Sequence, residues 1–299
     1  MIFSSIKGIT IPEGVVKQIA EPSGKILWKL SVANVDVSAL AINYTGAYTD
    51  EADVVMSGKT YRLLTLTGSG TLTLPQQVTA DVWMCNGGNS GLGQGSNGGG
   101  GGYFLQNENV SLETSTVCVI GSGGKGTSTT SGKAGGTTTF GSLAPEAQPT
   151  TGTRCGMGAS GGGLGGLGSY SGYCTGKGVT TVPFGEYLVF DEHSAGGGGG
   201  CYRDLENSDT WSGADGGSDG ENGSKDSVEG STAVGAGGTK GGGDGGKGAT
   251  SGSTGGSATF YGSGGGGGGF YVSKTGSTKN GTSGAGYQGV IYVRIPYEQ

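Results

Sequence analysis

Short apolar runs alternate with glycine blocks along nearly the whole chain. GVVKQIA (14–20) and KILWKL (25–30) are two β-prone runs separated by the turn sequence Glu21-Pro22-Ser23-Gly24, and they predict a small hairpin with Ile26 and Trp28 on one face. SVANVDVSALAI (31–42) reads as a further strand. TYRLLTLT, GTLTLP and TADVWMC, between 60 and 85, are three strand-like runs joined by GSG and PQQV turns. YFLQNENVSLE and TSTVCVIG follow a glycine block. In Val117-Cys118-Val119-Ile120 both alternate faces are apolar, which predicts a strand buried on both sides. PFGEYLVF (183–190), SATFYG (257–262), GGFYVS (268–273) and QGVIYVRI (288–295) add four more. No long segment carries the 3.6-residue period of a helix, so the chain reads as all-β with almost no helix.

The intervening blocks raise the harder question. NGGNSGLGQGSNGGGGG, GSGGKGTSTTSGKAGG, GMGASGGGLGGLG, AGGGGG, GAGGTKGGGDGGKGATSGSTGG and GSGGGGGG alternate with the strand segments instead of forming one tail. Glycine supplies 73 of 299 residues. The spacing is too irregular for collagen or a solenoid. Flexible linker is the simplest reading. Ordering is costly, because each glycine loses roughly 0.5–1 kcal/mol more than alanine on becoming fixed. That loss can be offset only where backbones hydrogen-bond to one another.

Polyglycine II provides such bonding. It is a left-handed threefold helix whose N–H and C=O groups point outward, and without Cβ atoms neighbours can approach on every side. The run Gly264–Gly269 would make a rod of about 19 Å. Two patterns favour an ordered lattice. The runs enter strands through large anchors, Gly102 into Tyr103-Phe104, Gly200 into Cys201-Tyr202 and Gly269 into Phe270-Tyr271. They also recur between core strands, where several long floppy loops would be improbable. Gly98, Gly100, Gly198, Gly264, Gly267 and Gly269 are the expected structural positions. The predicted fold is a jelly-roll-like β-sandwich combined with a polyglycine II helix lattice. Its organisation is a 1–30 hairpin or attachment segment, a 31–59 connector or first strands, and a 60–299 glycine-rich β-domain with display loops.

Composition narrows the function. Charged residues are 13%, about half the usual share, and the net charge is −6 with 17 Lys+Arg. No basic run exists, so nucleic acid and anionic membranes are poor partners. No apolar stretch is long enough for a transmembrane helix, and the first residues lack a signal-peptide pattern, which predicts synthesis in a cytosol. Five cysteines at wide spacing read as free thiols, with a Cys155–Cys174 or Cys174–Cys201 bridge as the alternative. With one histidine there is no Cys/His zinc pattern, and no metal or cofactor is expected.

Catalytic signals are thin. Gly158-Ala159-Ser160-Gly161-Gly162 matches G-x-S-x-G, but glycine abundance produces such matches and no α/β alternation surrounds it. Asp191-Glu192-His193-Ser194 gathers an acid, the histidine and a hydroxyl, yet adjacent residues of an extended chain point apart, and a solvated loop is the expectation. Asp215, Asp219, Glu221, Asp226 and Glu229 crowd 213–230 without a calcium-loop spacing, and also read as a solvated loop. The chain reads as a non-enzyme.

Insertions rich in aromatic and polar residues, 142–155, 169–174, 182–195 and 201–213, are more informative. A rigid lattice that displays such loops is a recognition scaffold. Tyr, Trp and Arg dominate binding hot spots, and aromatic faces beside Asp, Asn and Arg suit sugars. The candidate binding residues are Tyr170, Tyr173, Tyr187, Tyr202, Arg203, Asp204 and Trp211. The competing reading makes Tyr187–Phe190 a core strand.

The segments INYTGAYTDEADVVMSGKTYRLLTLTGSGTLTLP, ADVWMCNGGNSGLGQGSNGGGGGYF, VSLETSTVCVIGSGGKG, GGTTTFGS and GAGYQGVIYVRIP together resemble the glycine-rich domain of phage and prophage tail proteins, over about residues 42–296. Cys85-Asn86 departs from that pattern, which more often has an apolar residue and glycine there. The glycine portion is similar in style to tip adhesins of T-even-like phage tail fibres and to the glycine-rich region of anaplastic lymphoma kinase, and the β content is nearer the second. The opening IPEGVVKQIAEPSGKILWK resembles the start of prophage tail-fibre-like proteins. The resemblance implies a virion tail component assembled in the cytoplasm of a bacterial host. It would bind a cell-surface glycan or protein and attach to other tail proteins through residues 1–30. A homotrimer and a single-copy cap both stay open. The alternative function is a purely structural connector or baseplate decoration.

Overall fold

The computed structural model describes residues 35–93, 98–146, 181–197, 199–200 and 253–297 in full, and the backbone alone of 18–20, 26–29, 202–204 and 209–211. Among these residues the structure is β-strands, turns and extended glycine segments, with one 3₁₀ turn at Pro183–Gly185. The hairpin expected near the N-terminus forms, with β1 (Gln18–Ala20) antiparallel to β2 (Ile26–Lys29).

Two antiparallel sheets make a sandwich. β4 (Tyr48–Met56), β5 (Lys59–Leu66), β15 (Val290–Pro296), β7 (Val78–Cys85) and β8 (Phe104–Leu112) form the larger sheet, in that order. β10 (Thr139–Phe140), β9 (Ser115–Val119), β6 (Gly70–Thr73) and β3 (Asn43–Tyr44) form the smaller. Between them lies the main core, where Leu64, Leu66, Val82, Met84, Ile291, Val293 and Ile295 of the larger sheet meet Tyr44, Leu72, Cys118 and Phe140 of the smaller. The alternate residues of the larger sheet, including Leu63, Trp83, Val290 and Tyr292, build a second core with Val182 and Phe190.

β15 is therefore buried on both faces along its length, and β5 and β7 bury residues into both cores as well. The two-sided burial expected of 117–120 fails: Thr116 and Cys118 face the core, while Val117 and Val119 are 60% and 42% exposed. β9 sits in an outer sheet that covers the core with one face, and its valines satisfy backbone preference instead of packing. Residues 31–42 also depart from expectation. Where described, from Val35 onward, they turn, because the Asp36 carboxylate accepts bonds from the Ser38 and Ala39 amides and buries Val37 and Leu40 as an irregular plug. The acidic strand β4 has no apolar alternation. It is an edge strand with a bulge between Glu51 and Val54, and Asp53 there adopts φ 59°.

Beyond the sandwich the glycine blocks run as rods: 86–93, 98–102, 121–127, 132–138, 194–200, 253–258, 262–269 and 281–289. They exchange backbone bonds every third residue. The Gly88 and Gly91 amides donate to Tyr287 and Gly284, and the amides of Gly289, Gly286 and Ser283 donate to Gly121, Gly124 and Thr127. This is the bonding of a polyglycine II bundle.

Rod 262–269 is its axis. Its amides donate to Ala195, Asn89, Gly256, Leu92 and Ser253, and its carbonyls accept from Gly102, Tyr287, Gly99, Gly284 and Gly281, at 2.6–3.0 Å. Those partners lie on five different rods. Apart from Gly262, which turns the chain into the rod at φ 71°, glycine is required here for space and not for φ: among the described glycines only Gly58, Gly141, Gly185, Gly262 and Gly276 have positive φ. A Cβ on Gly264 would overlap the Gly99 carbonyl, one on Gly265 the Gly284 carbonyl, and one on Gly197 the Gly265 carbonyl. Of the other expected structural glycines, Gly100 accepts the Asn89 amide, Gly269 bonds Ser253 and Gly281, Gly98 and Gly267 are buried, and Gly198 lies outside the described residues.

Candidate functional site

The rods give the molecule two ends. β7 runs into rod 86–93, and β15 follows rod 281–289, so the sandwich caps one end. Rod 262–269 runs parallel to 86–93, as the Gly265-to-Asn89 and Gly268-to-Leu92 bonds show. Rod 194–200 is parallel to 262–269 too, because Cβ atoms on Gly197 and Gly200 would meet the Gly265 and Gly268 carbonyls. The far ends of both rods therefore leave the bundle together, and each continues as a strand. β11 (Tyr202–Asp204) follows one and β13 (Phe270–Val272) the other, paired in parallel. β12 (Asp209–Trp211) flanks β11, and β14 (Thr278–Asn280) flanks β13, completing a four-stranded sheet at the distal end.

This sheet collects four of the predicted binding residues. The segment read as a loop is a hairpin in which Tyr202 is the register partner of Trp211, Arg203 of Thr210 and Asp204 of Asp209. On the other side Tyr202 partners Phe270, and Arg203 partners Tyr271. Phe270 in turn partners Asn280, and Tyr271 partners Lys279. Phe270 and Tyr271 are half-buried, and Thr278, Lys279 and Asn280 are exposed. The sequence reading treated Phe270-Tyr271 as an anchor and missed their place beside Tyr202. The usable signal is that Tyr202 and Phe270-Tyr271 each follow closely on a glycine run. Tyr170 and Tyr173 lie outside the described residues, as do the Gly158–Gly162 motif, the acidic cluster of 215–229 and Cys155, Cys174 and Cys201.

Tyr187 is not part of this group. PFGEYLVF forms no strand. Pro183 starts a tight turn in which Phe184 and Gly185 take φ 56° and 73°, and only Val182, Pro183 and Phe190 bury. Tyr187 and Leu188 are 74% and 101% exposed. Beside them Glu186 accepts the Ser57 hydroxyl at 2.7 Å and lies 3.9 Å from Arg294, which places this turn at the end of the sandwich remote from the rods. Arg294 pairs with Asp81 at 2.8 Å and stacks on Tyr61 and Phe184, at 4.8 and 4.3 Å from the ring centroids. SATFYG likewise forms no strand, since Gly262 turns the chain at φ 71°.

Residues 191–194 do not form the solvated loop expected of them, because His193 and Ser194 are buried. The His193 ring is walled by Trp83, Phe260, Tyr261 and Tyr292. Its Nδ1 donates to the Asp191 carbonyl at 2.7 Å, so Nε2 accepts the Tyr292 hydroxyl at 2.9 Å. Burial holds the imidazole neutral, with its pKa lowered to about 4. Burial also pushes the Cys85 and Cys118 thiols up to about 12, so neither is a nucleophile near neutral pH. His193 is a structural rivet of the second core.

No protein-family model matches this chain, and no curated protein is significantly similar to it. Among the described residues no helix is long and apolar enough to cross a membrane.

Proposed function

We propose that the chain is a non-enzymatic tail component of a bacterial virus, an adhesin that recognises a host surface receptor through the sheet and insertions at the distal end of the rod bundle. The observation that carries this reading is the separation of ends. The Val37 and Leu40 carbonyls accept from the Arg62 guanidinium, and Tyr297, which follows β15, accepts the Asp53 amide on its hydroxyl. Both points lie at the sandwich end, which suits attachment through residues 1–30. β11 and β13, with the aromatic positions Tyr202, Phe270 and Tyr271, leave from the opposite end. Between the two stands a lattice of described rods held largely by backbone bonds.

Labelled protein incubated with a panel of bacterial strains tests the proposal. Strain-selective binding that falls when Tyr202, Arg203 and Trp211 are changed together to alanine supports it. Undiminished binding by that variant removes the distal sheet from the receptor site. Absence of binding to any strain, with loss of virion incorporation on deleting 1–30, favours the structural connector.

A further inference from the structure

The distal sheet brings three aromatic residues from remote parts of the chain into one line. Trp211, Tyr202 and Phe270 are successive register partners on β12, β11 and β13, and Asn280 of β14 continues the row. Adjacent strands lie about 4.8 Å apart, so the three aromatic positions span about 10 Å and the row with its terminal amide about 14 Å. No member of the row is charged. The next row holds two cations, Arg203 and Lys279, about Tyr271, and the one after it two carboxylates, Asp204 and Asp209, so formal charge begins only outside the aromatic row. Phe270 is half-buried and Asn280 exposed, so the described half of the row reaches solvent.

Resting on the adhesin reading above, we infer that this row is a ladder for a neutral, linear glycan lying across the strands, engaged along its length and not by a terminal sugar. The chemistry follows from the residue types. Aromatic rings present apolar faces that match the C–H faces of pyranose rings, and an amide both donates to and accepts from hydroxyls. A charged sugar would find no formal countercharge in the row. One pyranose unit of an extended chain is similar in length to the strand spacing, so consecutive units meet consecutive strands. A single sugar could use only one rung.

The experiment uses a strain that the protein binds. Polysaccharide released from its envelope is separated by anion exchange into neutral and acidic fractions, and each competes against labelled full-length protein. The neutral fraction should inhibit, and its partial hydrolysate should inhibit progressively better from one to three units and then level off. Tyr202→Ala, Trp211→Ala and Phe270→Ala should each weaken binding about tenfold. Tyr202→Phe and Trp211→Phe keep a ring and should bind within threefold of the parent, which separates loss of contact from loss of fold. Inhibition by the acidic fraction alone, by protease-sensitive material alone, or equally by monosaccharide and polymer overturns the ladder. If the strain binds yet the neutral fraction is inert, the adhesin reading stands and this inference falls.

Discussion

The bundle makes a prediction whose sign separates a lattice from a linker. In a flexible segment Gly265→Ala is harmless or stabilising by about 0.4–1 kcal/mol, because alanine restricts the unfolded chain. In the bundle the new Cβ overlaps the Gly284 carbonyl oxygen and lies 2.6 Å from that of Ala285. Both obstacles are backbone, so no rotamer change relieves them. Rods 262–269 and 281–289 must separate, which strains the bonds that Tyr287, Gly284 and Gly281 donate to Ser263, Gly266 and Gly269, at 2.8, 2.8 and 2.7 Å. At about 1 kcal/mol per bond the loss is about 3 kcal/mol, and about 2 kcal/mol remains after the alanine gain. For a chain of this size that is a fall in Tm of roughly 4–8 °C. Thermal unfolding followed by far-UV circular dichroism, with urea midpoints as a second measure, reads it directly. A Tm equal to or above the parent value would refute the packed-rod account.

Three other outcomes follow from the sandwich. His193 has its pKa lowered in the folded state, so stability is complete above the ordinary value near 6.5 and declines as pH falls toward about 4; the full effect is up to about 3 kcal/mol, and urea midpoints at pH 7 and 5 should differ less in His193→Gln than in the parent. Arg294→Met should cost about 3 kcal/mol, measured by urea unfolding, since it leaves the largely buried Asp81 carboxylate without its cation and removes the stack on Tyr61 and Phe184. Tyr187→Ala should change stability by less than about 0.5 kcal/mol and leave bacterial binding intact, because the side chain is exposed at the end remote from the distal sheet.

The strands that the sequence announced clearly are those whose burial agrees with local preference. β5, β7 and β15 send alternate residues into two cores, so apolar residues fall on both faces, most densely in β15, and the runs are conspicuous. β4 was hidden because an edge strand with acidic residues has no apolar period to detect. Val117 and Val119 misled for the opposite reason: β-branched residues favour a strand whether or not anything covers them. PFGEYLVF looked like a strand until Pro183 and Gly185 set a turn that depends on the facing sheet. The rods were legible from glycine runs bounded by large anchors, but their neighbours were not. What surrounds Gly265 depends on register among rods both near and far in sequence, with Gly284 on one side and Asn89 and Gly99 on others. At the distal sheet, composition alone picked out Tyr202, Arg203, Asp204 and Trp211, while Phe270 joined them only through the parallel pairing of β11 with β13.

That pairing also explains why glycine is useful between a sandwich and a recognition surface. In a side-chain core, altering one connection disturbs packing along the element it joins. In the bundle each rod contributes hydrogen bonds mainly from its backbone, joined by side-chain bonds such as those that Asn86, Asn89 and Ser90 accept from the Thr138, Gly135 and Lys133 amides. The row across β12, β11 and β13 inherits its spacing from the parallel rods 194–200 and 262–269 beneath it. Insertion of a single residue into Gly264–Gly269 should therefore lower Tm in thermal unfolding and shift Phe270 out of line with Tyr202.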